Sequence, residues 1–350
     1  MAEEITIQLN DESLKVPSGI TVKKALQLSG YKVTKFPEKE ALFVPCEVGG
    51  CWSCAVLIDG ESKPACKTPV REGLLINTSL PEKHQPKRII HGFTGHSVGG
   101  VGTPWRLKHV HTYIEVACFA SGCNFRCPQC QNWDITYNGE SSPMTPSEAA
   151  QRMTAARKKF GVDRMAISGG ESTLNRAWLI EYVRALKSLN PNADARIHID
   201  TNGSILTKDY IDELFDAGMT DIGIDLKGCT TETFMRITAV KERRLSELYL
   251  STAWSAVRYL AERYENIIFT GVGIPYNVKL ISLDEIGLIG KKLYEIDPKI
   301  QVCALDYRPE FKRLDLQKPS YDDMVEVHNV LKAAGLKTVI CQTEHGHIGP

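Results

Sequence analysis

The stretch that decides the reading is Ala117-Cys118-Phe119-Ala120-Ser121-Gly122-Cys123-Asn124-Phe125-Arg126-Cys127-Pro128-Gln129-Cys130-Gln131-Asn132. Cys123, Cys127 and Cys130 stand at Cys-x3-Cys-x2-Cys spacing within eight residues. A loop this tight holds three thiolates around one small inorganic core and offers no fourth cysteine. A structural zinc site wants four protein ligands, whereas a catalytic centre keeps one position open. Fe–S clusters are ordinarily held by four cysteines, so three leave one iron free to bind a small molecule.

Working outward toward the N-terminus, a second cluster appears at Cys46-Glu47-Val48-Gly49-Gly50-Cys51-Trp52-Ser53-Cys54, with Cys66 twelve residues on. Cys-x4-Cys-x2-Cys followed by a distant fourth cysteine is the plant-type [2Fe–2S] spacing. Gly49 and Gly50 let the backbone curl around such a cluster and turn N–H groups toward its sulfurs. The strand Ala55–Ile58, the turn Asp59-Gly60 and the strand Ser62–Cys66 form a hairpin that returns Cys66 to the other three. A zinc ribbon is the alternative, but ribbons prefer Cys-x2-Cys twice and only one such pair is present. Ile5, Ile7 and Leu9 alternate as in a half-buried strand, Ser13 to Val16 read as its return, and Thr21 opens a helix that stops near Gly30.

Residues 4–80 resemble the [2Fe–2S] ferredoxin-type domain of succinate dehydrogenase and fumarate reductase iron–sulfur subunits. Val16-Pro17-Ser18-Gly19-Ile20-Thr21-Val22 and Ala65-Cys66-Lys67-Thr68-Pro69-Val70-Arg71-Glu72-Gly73 match that module beyond the cysteines. The resemblance implies a small α+β, β-grasp ferredoxin-like domain over 1–80, with Cys46, Cys51, Cys54 and Cys66 as ligands. It also implies a one-electron carrier, since four protein ligands leave no open iron.

Between 81 and 111 the pattern lapses at Pro81, Pro86 and Pro104 and at Gly92, Gly95, Gly99, Gly100 and Gly102. This reads as an inter-domain linker packed on the C-terminal domain. His91, His96, His109 and His111 show no ligand spacing.

From Thr112 the chain alternates apolar strands with amphipathic helices. The strands expected are Thr112–Cys118, Arg164–Ser168, Ala195–Asp200, Asp221–Leu226, Ile267–Gly273, Gln301–Asp306 and Lys337–Cys341. Thr145-Pro146-Ser147-Glu148 is a capping box with proline at the first helical position. Thr207 caps a helix over Lys208–Ala217 that stops at Gly218, and Ser320-x-x-Asp323 opens the last helix. Such alternation specifies an α/β fold with a parallel sheet, and six or seven units are too few to close an eight-stranded barrel. Ligands gather at the carboxyl ends of such strands. The polar strand ends are Ser168-Gly169-Gly170-Glu171, Asp200-Thr201-Asn202-Gly203, Asp225-Leu226-Lys227 and Asp306-Tyr307-Arg308, the last read as a substrate-facing wall. The tail Cys341-Gln342-Thr343-Glu344-His345-Gly346-His347 has the residues to cap the open barrel or bind a metal, but reads first as a loose terminus.

Residues 112–350 resemble the radical S-adenosylmethionine (SAM) superfamily, whose defining motif is the Cys-x3-Cys-x2-Cys loop. Gly122 to Ile135 are most similar to the AmmeMemoRadiSam group and to activating enzymes of glycyl radical proteins. The resemblance implies a partial (βα)6-type radical SAM barrel with a [4Fe–4S] cluster on Cys123, Cys127 and Cys130. It implies SAM contacts from Gly169, Gly170 and Glu171 to the methionine ammonium, and from Asp200, Asn202, Asp225 and Lys227 to ribose and carboxylate. The implied reaction is reductive cleavage of SAM to a 5′-deoxyadenosyl radical that abstracts hydrogen from a small-molecule or protein substrate. An external donor of ferredoxin or flavodoxin type supplies the electron through the [2Fe–2S] domain. A glycyl-radical activase and a non-catalytic two-cluster carrier are the alternatives; the Gly-Gly-Glu and Asp-Leu-Lys strand ends disfavour the carrier.

Bulk composition agrees with an enzyme of this kind. The 350 residues are 43% hydrophobic and 24% charged with net charge zero, which gives no hint of nucleic-acid binding. No apolar run approaches the ~20 residues that span a bilayer, and the acidic start lacks a signal-peptide layout. The expectation is a soluble cytoplasmic oxidoreductase. Seven of the eleven cysteines lie in the two clusters, and Cys118, Cys229, Cys303 and Cys341 read as small buried hydrophobes.

Overall fold

The computed structural model describes residues 3–108 and 112–350; Met1, Ala2 and 109–111, with His109 and His111 of the linker reading, lie outside the described residues. Period-2 alternation produces β1 (Glu4–Leu9) and β2 (Glu12–Pro17), joined through Asn10 and Asp11, both at positive φ as a tight hairpin turn requires. Thr21 caps α1 (Val22–Leu28), accepting from the Lys24 N–H, and α1 buries Val22, Ala25 and Leu26. Short β3 (Val33–Thr34) and β4 (Leu42–Phe43) lead to the first cysteines; β5 (Ala55–Ile58), β6 (Glu61–Pro64) and β7 (Leu75–Asn77) follow. Among the described residues five strands pair in the order β2-β1-β7-β5-β6, with β1 parallel to β7. The core beneath this sheet joins Ile7, Val22, Leu26, Val56 and Ile58 to Cys54 and Cys66.

The second unit begins earlier than the sequence pattern suggests. β8 (Ile90–His96), inside the expected linker, pairs antiparallel with β9 (Glu115–Ala120). The chain then alternates: α2 (Trp133–Thr136) and α3 (Pro146–Phe160), β10 (Arg164–Gly169), α4 (Arg176–Leu189), β11 (Arg196–Thr201), α5 (Lys208–Ala217), β12 (Asp221–Asp225), α6 (Thr231–Thr238), α7 (Arg243–Arg263), β13 (Phe269–Tyr276), α8 (Leu283–Ile296), β14 (Gln301–Asp306), α9 (Tyr321–Ala333), β15 (Thr338–Thr343) and β16 (Gly346–Ile348). Among the described residues these form one sheet, β16-β15-β14-β13-β12-β11-β10-β9-β8, parallel from β9 to β15 and antiparallel at both edges. Six βα units followed by a seventh parallel strand make the open barrel expected. The Thr145 and Ser320 capping boxes and the Gly218 stop form as read, although Thr207 makes no side-chain cap bond. The tail is not loose: β15 and β16 are a hairpin that extends the sheet edge.

The glycines of the supposed linker serve close packing instead of slack. Residues 98–103 lie against the amino ends of the strands, where a Cβ on Gly271 would stand 2.2 Å from Val101 O, and one on Gly102 would stand 2.5 Å from His198 Nε2. Charges fix this plug. The first residue of β9, Glu115, accepts from Gly100 N at 2.9 Å and Thr103 Oγ1 at 3.3 Å. Arg164, at the start of β10, donates to Gly102 O at 3.1 Å and pairs with Asp221 at 2.9 Å. Gln301 accepts from Trp105 N at 2.7 Å and donates to Thr103 O at 2.8 Å. His198 sits in the middle, 3.1 Å from Glu115 Oε2 and 3.0 Å from Asp200 Oδ1. Burial pushes its imidazole down, but Asp200 and Glu115 outweigh that and raise it to about 10.

A histidine whose folded-state pKa is raised stabilises fully below its unfolded value, near 6.5, and loses that contribution as pH climbs to about 10. The difference in unfolding free energy between wild type and His198→Gln should therefore shrink steadily across that window in denaturant titrations. A pH-independent difference would show that His198 is neutral in the plug.

Candidate active site

β9 delivers the chain to the three-cysteine loop at its carboxyl end. Ser121 Oγ lies 2.7 Å from both Ile135 O and Asn138 O, and Gly122 N donates to Thr136 O at 3.1 Å, so the loop is tied back on itself. The neighbouring strand end braces it: Gly170 N donates to Ala120 O at 2.8 Å and Glu171 N to Gly122 O at 2.9 Å. From β11, Asn202 Nδ2 reaches Asn124 Oδ1 at 3.1 Å and Cys123 Sγ at 3.8 Å, and Phe125 N donates to Cys123 Sγ at 3.3 Å.

A cavity of about 300 Å³ opens over this loop. Cys123, Cys127, Cys130, Gly169, Gly170, Asp200, Asn202, Asp225 and Lys227, nine of the ten residues expected around the cluster and SAM, line it together. They come from four different strand ends, as the alternation of strands and helices demands. Lys227 Nζ donates to Tyr307 Oη at 2.9 Å and lies 3.5 Å from Asp225 Oδ2. Burial pushes the lysine down, yet Asp225 and Tyr307 overcome it and hold the ammonium above its ordinary value. Burial raises Asp225 against the pull of Lys227 and lifts the Cys127 thiol to about 12.

Glu171 is the tenth residue, and it faces the protein. It is fully buried, and its carboxylate accepts from Thr173 N at 2.9 Å, Thr173 Oγ1 at 2.6 Å, Thr201 Oγ1 at 2.5 Å and Asn202 N at 2.7 Å. Three of these donors meet Oε1 and one meets Oε2, so the carboxylate is anchored in the protein and holds the Asn202 backbone in place. Of the expected substrate-facing wall only Tyr307 lines the cavity, while Asp306 is buried and Arg308 is exposed. Sequence reasoning missed Gln129, Cys303, Gln342 and His347, which also line it. The last two arrive through the β15–β16 hairpin.

The donor set suits the groups the sequence implied. Three thiols share one wall with N–H donors turned toward Cys123 sulfur. Among the described residues, buried Gln129 Oε1 and Asp225 Oδ1 have no hydrogen-bond partner, and both residues line the cavity. In the N-terminal unit Cys46, Cys51, Cys54 and Cys66 are all buried, with Cys46 and Cys51 sulfurs 3.1 Å apart. Hydrogen bonds from Cys51 and Cys66 hold the Cys46 thiol well below its ordinary value.

The two cysteine loops touch. Cys46 and Cys51 belong to the barrel core while Cys54 and Cys66 belong to the N-terminal core, so the four-cysteine loop straddles the junction. A Cβ on Gly50 would stand 2.6 Å from Ser121 Cβ, and one on Gly122 would stand 3.1 Å from Cys46 Sγ. Only glycine fits at either position. Arg126 donates to Cys123 O at 2.7 Å and to Cys46 O, spanning the seam. Asn175 Nδ2 donates to Cys51 O at 3.0 Å and Ser53 Oγ to Leu174 O at 2.8 Å.

Residues 118–280 match the family model of the radical SAM superfamily. The chain carries a radical SAM domain. Residues 2–81 match the 2Fe-2S iron-sulfur cluster binding domain, so the radical SAM domain is preceded by a [2Fe–2S] module. A radical SAM domain implies a [4Fe–4S] cluster and SAM as cofactors, in keeping with the three-cysteine loop and its cavity. Relatives include a probable GTP 3′,8-cyclase of Methanococcus aeolicus, 34% identical over 116 residues, 33% of this chain and 38% of that one. A GTP 3′,8-cyclase of Listeria monocytogenes is 32% identical over 134 residues, 38% of each chain. This chain thus spans well under half the length of the relatives it matches. Among solved structures, SuiB of Streptococcus suis aligns with TM-score 0.49 and 15% identity, covering 68% of this chain and 52% of that one.

If Glu171 is a positioning residue, Glu171→Ala destabilises the cluster-free protein, because four buried donors lose their acceptor at about 1–3 kcal/mol for each that stays unpaired. Chemical unfolding of the apoprotein reads this directly. Unchanged apoprotein stability with weakened SAM binding would restore Glu171 as a ligand contact.

Proposed function

We propose that this chain is a radical SAM enzyme with its own electron relay. Cys123, Cys127 and Cys130 hold the [4Fe–4S] cluster, and Cys46, Cys51, Cys54 and Cys66 hold the [2Fe–2S] cluster. A ferredoxin- or flavodoxin-type donor outside the chain feeds it single electrons. The observation that carries this reading is the contact between the two loops, with Gly122, the residue covalently next to Cys123, against Cys46 Sγ.

When bound, the reduced cluster and SAM supply a 5′-deoxyadenosyl radical that abstracts a hydrogen atom from the substrate. The chain's own residues do the remaining work. Lys227, held charged by Asp225, offers a cation to the SAM carboxylate. Asp200 and the unpartnered Asp225 Oδ1 offer acceptors to the ribose hydroxyls, and the Gly169–Gly170 backbone borders the methionine end. Gln129 Oε1 is a further buried acceptor. The plug of residues 98–103 closes the amino end of the barrel and keeps bulk water from the cavity, which protects a reactive radical. A lined cavity with unpartnered polar atoms favours an enzyme over a pure electron carrier, which needs no open-iron pocket. The substrate is a small molecule or a protein side chain reaching the carboxyl end of the barrel.

Anaerobic reconstitution with SAM, assayed for 5′-deoxyadenosine, tests the activity; intact clusters with no cleavage would contradict it. Cys46→Ser and Cys54→Ser should slow cleavage driven by a protein reductant at least about tenfold, ~1.4 kcal/mol of barrier, and spare cleavage driven by dithionite. Equal loss with both reductants would remove the relay.

A further inference from the structure

Arg88 is a charged residue that neither cofactor site accounts for. It precedes β8 in the stretch that reads as linker, and its side chain is fully buried. Its guanidinium donates only to backbone carbonyls: Ser172 O, Glu171 O and, at 3.3 Å, Ser121 O. Among the described residues Arg88 Nε has no hydrogen-bond partner. Its backbone neighbour Ile89 donates to Gly50 O at 3.1 Å and accepts from Ser121 N at 3.0 Å. The backbone at 88–89 therefore runs along the seam between the two cysteine loops, and the guanidinium meets the three-cysteine side of it through Ser121 O. Burial presses it toward losing its charge, and the groups that pull the other way are Cys51, Glu171, Tyr210 and Cys46. Arg126 spans the same seam from the other loop, through Cys46 O and Cys123 O.

A buried cation without a paired anion is expensive to keep. Four thiolates around a [2Fe–2S] core, and three around a [4Fe–4S] core, carry net negative charge, which grows by one on reduction. We propose that Arg88 and Arg126 form a cationic bridge between the two cluster sites, compensating their charge and holding the loops in contact for electron transfer. The proposal rests on the two-cluster reading above and adds to it. Two anionic centres at close quarters oppose each other's reduction, and a cation in a low-dielectric seam relieves that opposition. One electron lost by the external donor is then accepted at the N-terminal site and passed on without a large charge penalty. Both arginines are positioning residues, since each acts on the clusters through charge and backbone.

The test is EPR-monitored potentiometry of the full-length, two-cluster protein, a readout independent of SAM cleavage. Net charge and hydrogen bonding set cluster potentials, so loss of a cation should move midpoints to more negative values. Arg88→Gln and Arg126→Gln are expected to show that shift in the [2Fe–2S] midpoint, and Arg88→Lys, which keeps the charge, to stay near wild type. Unshifted midpoints in both glutamine variants, with visible circular dichroism of the clusters unchanged, would overturn the bridge while leaving the relay intact. Should Arg88→Gln fail to take up its cluster, half-buried Arg126→Gln decides on the same measurement. Failure of the relay appears elsewhere, as equal loss of cleavage with both reductants.

Discussion

The close approach of Gly50 to Ser121 and of Gly122 to Cys46 is the constraint on which the rest depends. It requires a side-chain-free backbone on both sides, so the two loops whose cysteines are proposed to hold the clusters also pack against each other. Everything nearby serves that seam. Asn175 and Ser53 tie the four-cysteine loop to the carboxyl end of β10, and Arg126 ties it to the three-cysteine loop. The division of the four cysteines between two hydrophobic cores means that the four-cysteine loop cannot shift without disturbing both units.

The opposite end of the barrel is organised by charge. Glu115, Arg164, His198 and Asp221 are buried together with the backbone of residues 98–103 among them. Such a network is costly unless every member is satisfied, and here the plug supplies many of the partners. The result is a cavity bordered by the three-cysteine loop at the carboxyl ends of the strands and by residues 98–101 of the plug on the other side. Asp200 belongs to both regions, paired below with His198 and lining the cavity above.

Much of this was legible in the sequence, for a physical reason. Metal ligands must be close in space, and tight loops make them close in sequence, so Cys123 to Cys130 and Cys46 to Cys54 announce themselves. Alternation of strands and helices places strand ends together without further information, which is why Gly169, Asp200, Asp225 and Lys227 meet. What escaped were contacts between distant segments. Nothing local to Gly99–Gly102 says that its partners are Gly223 and Gly271, and nothing local to Arg88 says that it is buried between two loops. The protein partners of Glu171 escaped too, because only the fold brings Thr173, Thr201 and Asn202 to it. The tail hairpin was missed for the same reason, its pairing being cooperative with an existing sheet edge.

Contact between the two cysteine loops has a direct physical signature. With both clusters reduced in the wild-type protein, each paramagnetic centre should broaden the other's EPR spectrum and speed its spin relaxation. Variants lacking one cluster, by Cys46→Ser or Cys127→Ser, should each give the remaining cluster's narrow, slowly relaxing spectrum. Two clusters in contact predict that interaction. A doubly reduced spectrum equal to the sum of the two single-cluster spectra, with unchanged relaxation, would contradict it.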